Sequence, residues 1–215
     1  MSMRRRLVFL PCVVGVTLLV GVAFPALFAA EEAKEKALEV GDKAPAWKDL
    51  EGTDGKKHSL ADLEDAKAVA VAFTCNSCPV AKAYEDRLIA LTKAYKDKGL
   101  HVVAINVNNV PADRLDRMKE RAAEKEFNFD YIYDPSQEIA RAYGATVTPH
   151  LFLLDKDRKV VYMGAFDNNM VAAEAEEHWF KDAVDAVLAG KKPEVQKTKQ
   201  FGCGIKYETR APSAG

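Results

Sequence analysis

A chain of 215 residues with 48% hydrophobic and 29% charged side chains has the composition of an ordinary globular protein with room for one well-filled core. Its formal charge of −1 provides no basic field for a phosphate backbone, so no nucleic-acid partner is expected.

The N-terminus begins with Arg4, Arg5 and Arg6, followed by a charge-free apolar run from Leu7 to Ala30, the pattern of an export signal. The run is also long enough to cross a bilayer, although Pro11, Gly15, Gly21 and Pro25 interrupt it as a uniform helix. Cleavage after Ala29 or Ala30 would put Leu27 or Phe28 where a small residue is preferred, so residues 1–30 read as a signal peptide or a signal anchor. The arginines hold the tail on the cytoplasmic side and send everything after Glu31 across. The expected location is periplasmic or extracellular, with membrane contact only through residues 7–30.

Cys12 lies inside this apolar segment without a lipobox context and reads as a small hydrophobe. The exported part keeps Cys75, Cys78 and Cys203, an odd number in an oxidising compartment, where an unpaired thiol calls for a chemical reason. Thiol exchange supplies one.

Residues 31–39 are charged, lack an apolar stripe long enough to bury, and read as a solvated spacer ahead of a domain that starts near Val40. Asp54-Gly55 followed by Lys56, Lys57 and His58 predicts a tight turn into a short strand, and the apolar run Ala68 to Phe73 predicts a buried central strand. From Pro79, the spacing of Val80, Tyr84, Leu88, Leu91 and Tyr95 predicts an amphipathic helix stopped by Gly99. A strand is expected from Leu100 to Val107, a helix from Pro111 to Glu126 with Leu115, Met118 and Ala122 on one face and the charges from Arg114 to Glu126 solvated, and a short strand from Tyr131 to Tyr133. Pro135 to Tyr143 follows as a short helix closed by Gly144. His150 to Leu154 and Lys159 to Met163 flank a turn as a hairpin. The last helix is expected from Ala173 to Ala189, and residues 191–215 read as an extended tail carrying Cys203. Strands alternating with helices, ending in a hairpin and a helix, predict an α/β fold: one domain over residues 40–190, with a mixed β-sheet covered by helices on both faces.

The chemistry concentrates at the strand-to-helix junction F-T-C-N-S-C-P, residues 73–79. Pro79 suits the first helical position because its missing N–H would have no partner there, and this puts Cys78 at the N-cap. A sulfur facing free N–H groups and the positive end of the helix dipole is favoured as thiolate, which makes Cys78 a candidate nucleophile. Cys75, three residues earlier, is placed to exchange with it, so the pair can pass between dithiol and disulfide. A fixed disulfide or half of a zinc site would use the same pair, but no second C-x-x-C exists, and no histidine follows Cys78 to attach a c-type haem.

With V-G-D-K-A-P at 40–45, F-T-C-N-S-C-P at 73–79, Y-G-A-T-V-T-P at 143–149 and F-G-C-G-I-K at 201–206, the chain resembles the thioredoxin superfamily. Within it, the likeness is to thioredoxin-like redoxins related to the peroxiredoxin (alkyl hydroperoxide reductase/thiol-specific antioxidant) family. The resemblance implies a thioredoxin-like domain without a cofactor and a cis bond at Thr148-Pro149, opposite the cysteines, where Thr148 pairs with an extended substrate. It implies exchange with disulfide-containing proteins or with small thiols or peroxides, and an electron-donating redox protein as partner. Thioredoxins carry a phenylalanine five residues before the nucleophile. Phe73 stands in that relation to Cys78, the expected resolving position then falls on Ala81, and the partner must be Cys75 or the candidate resolving residue Cys203. The opposite count makes Cys75 the attacking sulfur; the helix-start position favours Cys78. The buried acid that assists thioredoxins would fall on Ala72, so that aid is expected to be missing.

Two other functions compete with a thiol–disulfide oxidoreductase. A peroxidase of peroxiredoxin type would carry P-x-x-x-[TS]-x-x-C, but here Cys75 holds the hydroxyl position and Val71 the proline position. A copper-binding chaperone would use Cys75, Cys78 and a histidine, and of His58, His101, His150 and His178 only His150, beside Pro149, is placed for it. Trp47 and Trp179 read as packing residues. No metal site is assigned.

Overall fold

The computed structural model describes residues 37–209; the expected export segment and most of the expected spacer lie outside the described residues. Among the described residues, no helix is long and apolar enough to cross a membrane. In chain order the elements are β1 (Leu50–Gly52), β2 (Lys57–His58), β3 (Ala68–Phe73), α1 (Pro79–Tyr95), β4 (Leu100–Asn106), α2 (Leu115–Glu124), β5 (Asp130–Tyr133), α3 (Glu138–Ala142), β6 (Val147–Thr148), β7 (His150–Leu154), β8 (Val160–Gly164), α4 (Trp179–Leu188) and β9 (Cys203–Gly204). Seven strands form one sheet in the order β2-β1-β5-β4-β3-β7-β8, and β6 and β9 form a second, two-stranded sheet. The parallel pairs β3–β4 and β4–β5 beside the antiparallel pair β3–β7 make the main sheet mixed, as the alternation of elements predicts.

All six residues of β3 are buried, and their two faces do different work. Val69, Val71 and Phe73 pack with Val103, Ile105, Ile132, Tyr143, Phe152 and Leu154, on the face covered by Ile139 and Ala140 of α3. Ala68, Ala70 and Ala72 face the other way, where their small side chains leave room for Tyr84, Leu88, Leu91 and Tyr95 of α1 and for Phe180, Ala183 and Val184 of α4. Helices therefore cover both faces, and a strand buried on both sides reads as a continuous apolar run.

Three expectations need correction. Leu38, at the end of the expected solvated spacer, is buried in the first of these clusters. The helix expected from Pro111 is a 3-10 turn, Pro111–Asp113, and then α2, with extended backbone at Arg114 (ψ 160) between them. The helix expected from Ala173 begins at Trp179. Ahead of it, side-chain oxygens replace helical bonds: Asn169 Oδ1 accepts from Val171 N at 2.9 Å and Asn168 Oδ1 from Glu176 N at 3.0 Å. That loop is tied to α1, since Asp167 accepts from Tyr84 at 2.8 Å and from Arg87 at 2.6 Å.

The tail expected to run extended is extended but docked. Met163 N donates to Gln196 O at 3.0 Å and Thr198 N to Met163 O at 3.1 Å, alongside β8. A methyl group added at Gly164 would lie 2.3 Å from Thr198 Oγ1, so this approach requires glycine. Further on, Lys206 N donates to Asn108 Oδ1 at 2.8 Å, Gln137 Nε2 to Lys206 O at 2.9 Å, and Tyr207 Oη to Ala145 O at 2.6 Å.

Phe73 is fully buried, with edge-to-face contacts to Tyr143 and Phe152 at 5.3 and 5.8 Å. Phe73→Ala should cost about 3 to 5 kcal/mol in urea unfolding, the range for removing a core phenylalanine. A loss under about 1 kcal/mol would show that the β3–α3 face can close over the gap.

Candidate active site

At the end of β3 the chain stays bonded to the sheet for one more residue, through Thr74 N to Ile105 O at 3.0 Å, and then turns into the Cys75–Cys78 loop. Cys78 is the N-cap of α1, with extended backbone (φ −84, ψ 119) and Pro79 directly after it, and its sulfur accepts the Ala81 N–H at 3.4 Å. Opposite stands the Thr148-Pro149 bond, which is cis. Thr148 touches both sulfurs: its Oγ1 lies 3.3 Å from Cys75 Sγ, and its carbonyl oxygen 3.1 Å from Cys78 Sγ. Cys75 and Cys78 are only 3% and 2% exposed.

Cys203, 125 residues beyond Cys78 in the chain, belongs to the same cluster. In the two-stranded sheet it is the residue directly opposite Thr148, with Val147 opposite Gly204. A methyl group at Gly202 would sit 2.0 Å from the Thr148 oxygen, so only glycine lets the tail approach this closely. Its side chain packs, with Val80, against Cys75, Cys78 and Ala81 at the first turn of α1.

These contacts split the protons unequally. Cys78 is held well below the ordinary thiol range, first by the hydrogen bond from Cys75 and then, against the opposing effect of burial, by bonds from Cys203, Ala81 N–H and Thr148. Cys75 is pushed up, first by its bond to Cys78, then by burial and by the charge of Asp113. Cys203 is also raised, chiefly by its bond to Cys78. The three sulfurs thus favour the charged form at Cys78, where the helix amide of Ala81 points.

The sequence reading missed the group that fixes this loop. Asp113 is fully buried and accepts Ser77 N at 2.8 Å, Ser77 Oγ at 2.6 Å and Asn108 Nδ2 at 3.0 Å. Its own carbonyl accepts Asn106 Nδ2 at 2.8 Å, and next to it Ala112 O accepts Asn76 Nδ2 at 3.1 Å. Ser77 Oγ lies 3.7 Å from Cys75 Sγ, so an acid does reach the thiols, from the turn before α2 and not from the Ala72 position on the strand. The signal available was Asn106, Asn108 and Asp113 crowded just after a buried strand, where polar side chains are buried only if they find partners.

His150 stands apart. It pairs with Phe73 across β3–β7, its ring lies 4.4 Å from that of Phe152, and its Nδ1 is buried without a partner. Among the described residues, no group of three His, Cys, Asp or Glu side chains is arranged to hold a metal ion, so the set Cys75, Cys78 and His150 considered for copper is not assembled. His58 and His101 converge on Asp130 instead, and His178 lies just before α4.

The family model described as Redoxin matches residues 39–177, which span β1 through β8 and both cysteines of the loop. The chain belongs to the Redoxin family. This redoxin is 30% identical over 161 residues to the thiol-disulfide oxidoreductase ResA of Bacillus thuringiensis subsp. konkukian, covering 74% of this chain and 87% of that one. Among solved structures it is similar to a hypothetical protein of Sinorhizobium meliloti 1021, at 33% identity and a TM-score of 0.76 over 81% of this chain and 98% of the other. An uncharacterized conserved protein of Geobacillus kaustophilus matches at the same identity and TM-score, over 82% and 96%. The fold is thioredoxin-like, and this redoxin is related to thiol-disulfide oxidoreductases across its folded domain.

Two outcomes follow for the surroundings of the site. Burial pulls the pKa of His150 down to about 4 from 6.5. The unfolded chain therefore takes up a proton near pH 6.5 that the folded protein refuses until about pH 4, and stability should fall across that window by about 3 kcal/mol on this account. Urea titrations at pH 7 and 4.5 should show a smaller loss in His150→Leu; an equal loss would place the effect elsewhere. Asp113→Asn turns one acceptor into a donor facing Asn108 and Ser77 and should cost about 1 to 3 kcal/mol. An unchanged unfolding midpoint would mean that Ser77 and Asn108 have other partners.

Proposed function

We propose that this redoxin is an exported thiol-disulfide oxidoreductase whose redox couple is Cys75–Cys78, with Cys78 as the exchanging thiolate. The observation that carries this reading is the placement of Cys78 at the N-cap of α1, its sulfur accepting the Ala81 N–H, with Cys75 packed beside it; the same surroundings lower Cys78 and raise Cys75. A thiolate is the attacking and leaving form in exchange, and a protonated neighbour three residues away is the natural store for the second electron equivalent.

In the oxidising half-cycle, Cys78 thiolate attacks one sulfur of a disulfide and the other sulfur leaves and is protonated. Cys75 then loses its proton and attacks Cys78, which expels the remaining sulfur and leaves the Cys75–Cys78 disulfide. Two electrons have moved to the substrate, and a reduced redox protein or small thiol restores the dithiol by the reverse exchange. Ser77, fixed by Asp113, supports the step at Cys75: its hydroxyl lies against that sulfur and ends in a buried carboxylate.

Export rests on Arg4 to Arg6 and the uncharged run that follows them. The ResA relationship supports disulfide exchange over peroxide reduction, as does the cysteine at position 75, where a peroxidase would carry a hydroxyl.

In an insulin-disulfide reduction assay with excess reductant, Cys78→Ser should lose at least about a hundredfold in rate, because the exchanging thiolate is gone. Cys75→Ser should accumulate a disulfide between Cys78 and another sulfur, seen by mass after acid quenching. Retained turnover in Cys78→Ser, or no trapped species in Cys75→Ser, would refute the assignment.

A further inference from the structure

The two sulfurs of the proposed couple are almost completely shielded, and the shield itself carries a sulfur. Cys75 and Cys78 are 3% and 2% exposed, whereas Cys203 is half-buried and reaches solvent. The strand that carries Cys203 lies along the Thr148 edge, the edge to which an extended substrate would otherwise pair, and it also lies against α1. It is fastened on both sides. Before it, Thr198 is bonded to β8 and to Ala165 N at 3.0 Å. After it, Ile205 N donates to Thr146 O at 3.0 Å, and Ile205 is buried in the core. A strand held this way is part of the site, and it puts a partly exposed thiol against the buried pair.

We propose that Cys203 is a port of this enzyme for small, non-peptide thiols and disulfides, which exchange at Cys203 and pass from there to Cys78, while Cys78 remains the thiolate that attacks protein disulfides. The proposal rests on Cys75–Cys78 being the redox couple. Starting from that disulfide, Cys203 thiolate attacks Cys78; a Cys78–Cys203 bond forms, the Cys75–Cys78 bond breaks, and Cys75 leaves and takes up a proton. An external thiolate attacks Cys203, expelling Cys78 as thiolate and forming a mixed disulfide on Cys203. A second external thiol attacks the external sulfur of that bond, releasing the small disulfide and restoring the Cys203 thiol. The sum is one protein disulfide and two thiols converted to a protein dithiol and one external disulfide.

The surroundings suit each step. The chief influence that raises Cys203 is its bond to Cys78, which loses its charge once it is bonded to Cys75; the Val80 N–H then favours Cys203 as thiolate. On the way back, the sulfur expelled by external attack is Cys78, the one held as thiolate and therefore the better leaving group. An extended peptide must displace this strand to pair with Thr148, whereas a small thiol or disulfide can reach Cys203 with the strand in place.

The test uses the full-length protein, oxidised to the Cys75–Cys78 disulfide and then mixed with reduced glutathione. Wild type should be reduced with glutathione caught on Cys203 after acid quenching, and Cys203→Ser, which keeps the covering strand, should be reduced at least about tenfold more slowly. In the oxidised wild-type protein, where Cys75 and Cys78 are protected as their disulfide, prior alkylation of Cys203 with iodoacetamide should slow reduction by glutathione to the same extent; this second measurement needs no variant. Reduction of Cys203→Ser, or of the alkylated wild-type protein, at the untreated wild-type rate would overturn the port while the reversible Cys75–Cys78 disulfide stands. Failure of that disulfide to form in either protein would overturn the couple itself, and the port with it.

Discussion

The amides at the start of α1 have no partners inside the helix, and Thr148, before Pro149, brings a backbone carbonyl, a hydroxyl and a strand edge paired with the tail up against them. The sulfurs of Cys75, Cys78 and Cys203 fill the gap between these two features. Thr148 meets all three, by its hydroxyl at Cys75, its carbonyl at Cys78 and its backbone pairing at Cys203. Moving this one residue would alter every protonation state at the site. The order of the thiols is thus a property of where a helix end meets a sheet edge, and the residue types alone do not set it.

Holding that arrangement has required burying charge. A carboxylate out of water is costly unless it is fully hydrogen-bonded, and Asp113 meets that condition with Ser77 and Asn108. The polar network continues through Asn106, Asn76 and Tyr131, whose hydroxyl donates to Asn76 Oδ1 at 2.9 Å. A satisfied network of this kind favours a single geometry, because every alternative leaves a buried polar group without a partner. The loop between the two cysteines is rigid for the same reason that the turn before α2 departs from a helix: Asp113 serves the loop.

The tail completes the site from the far end of the sequence. Gly164 and Gly202 are the two places where it passes so near the body that a side chain would meet backbone or hydroxyl atoms, and between them it is held along β8 and Thr148. Its last described stretch is fixed to α3 by Gln137, and Arg141 lies 4.2 Å over the ring of Tyr207. The two-stranded sheet of β6 and β9 is therefore a structural join as well as a chemical one.

Local chemistry written in the sequence determined much of this molecule: the β3 run buried on both faces, the apolar stripe of α1, Pro79 after an N-cap cysteine, and the Thr148-Pro149 motif. Each depends on neighbours within a turn or on one periodic pattern, which is why each is legible without coordinates. Tertiary structure alone decided the rest. Asp113 read only as a residue in the first turn of an expected helix until the loop it serves was placed beside it. Cys203 looked like a thiol on a loose tail until the tail was seen paired with Thr148, and His150 is separated from the cysteines although Pro149 is its neighbour in the chain, because side chains along a strand alternate between faces. Pairing across 55 residues, as between Thr148 and Cys203, leaves no local periodicity to read; it is fixed by which strand edge is open and which backbone can come near enough to close it.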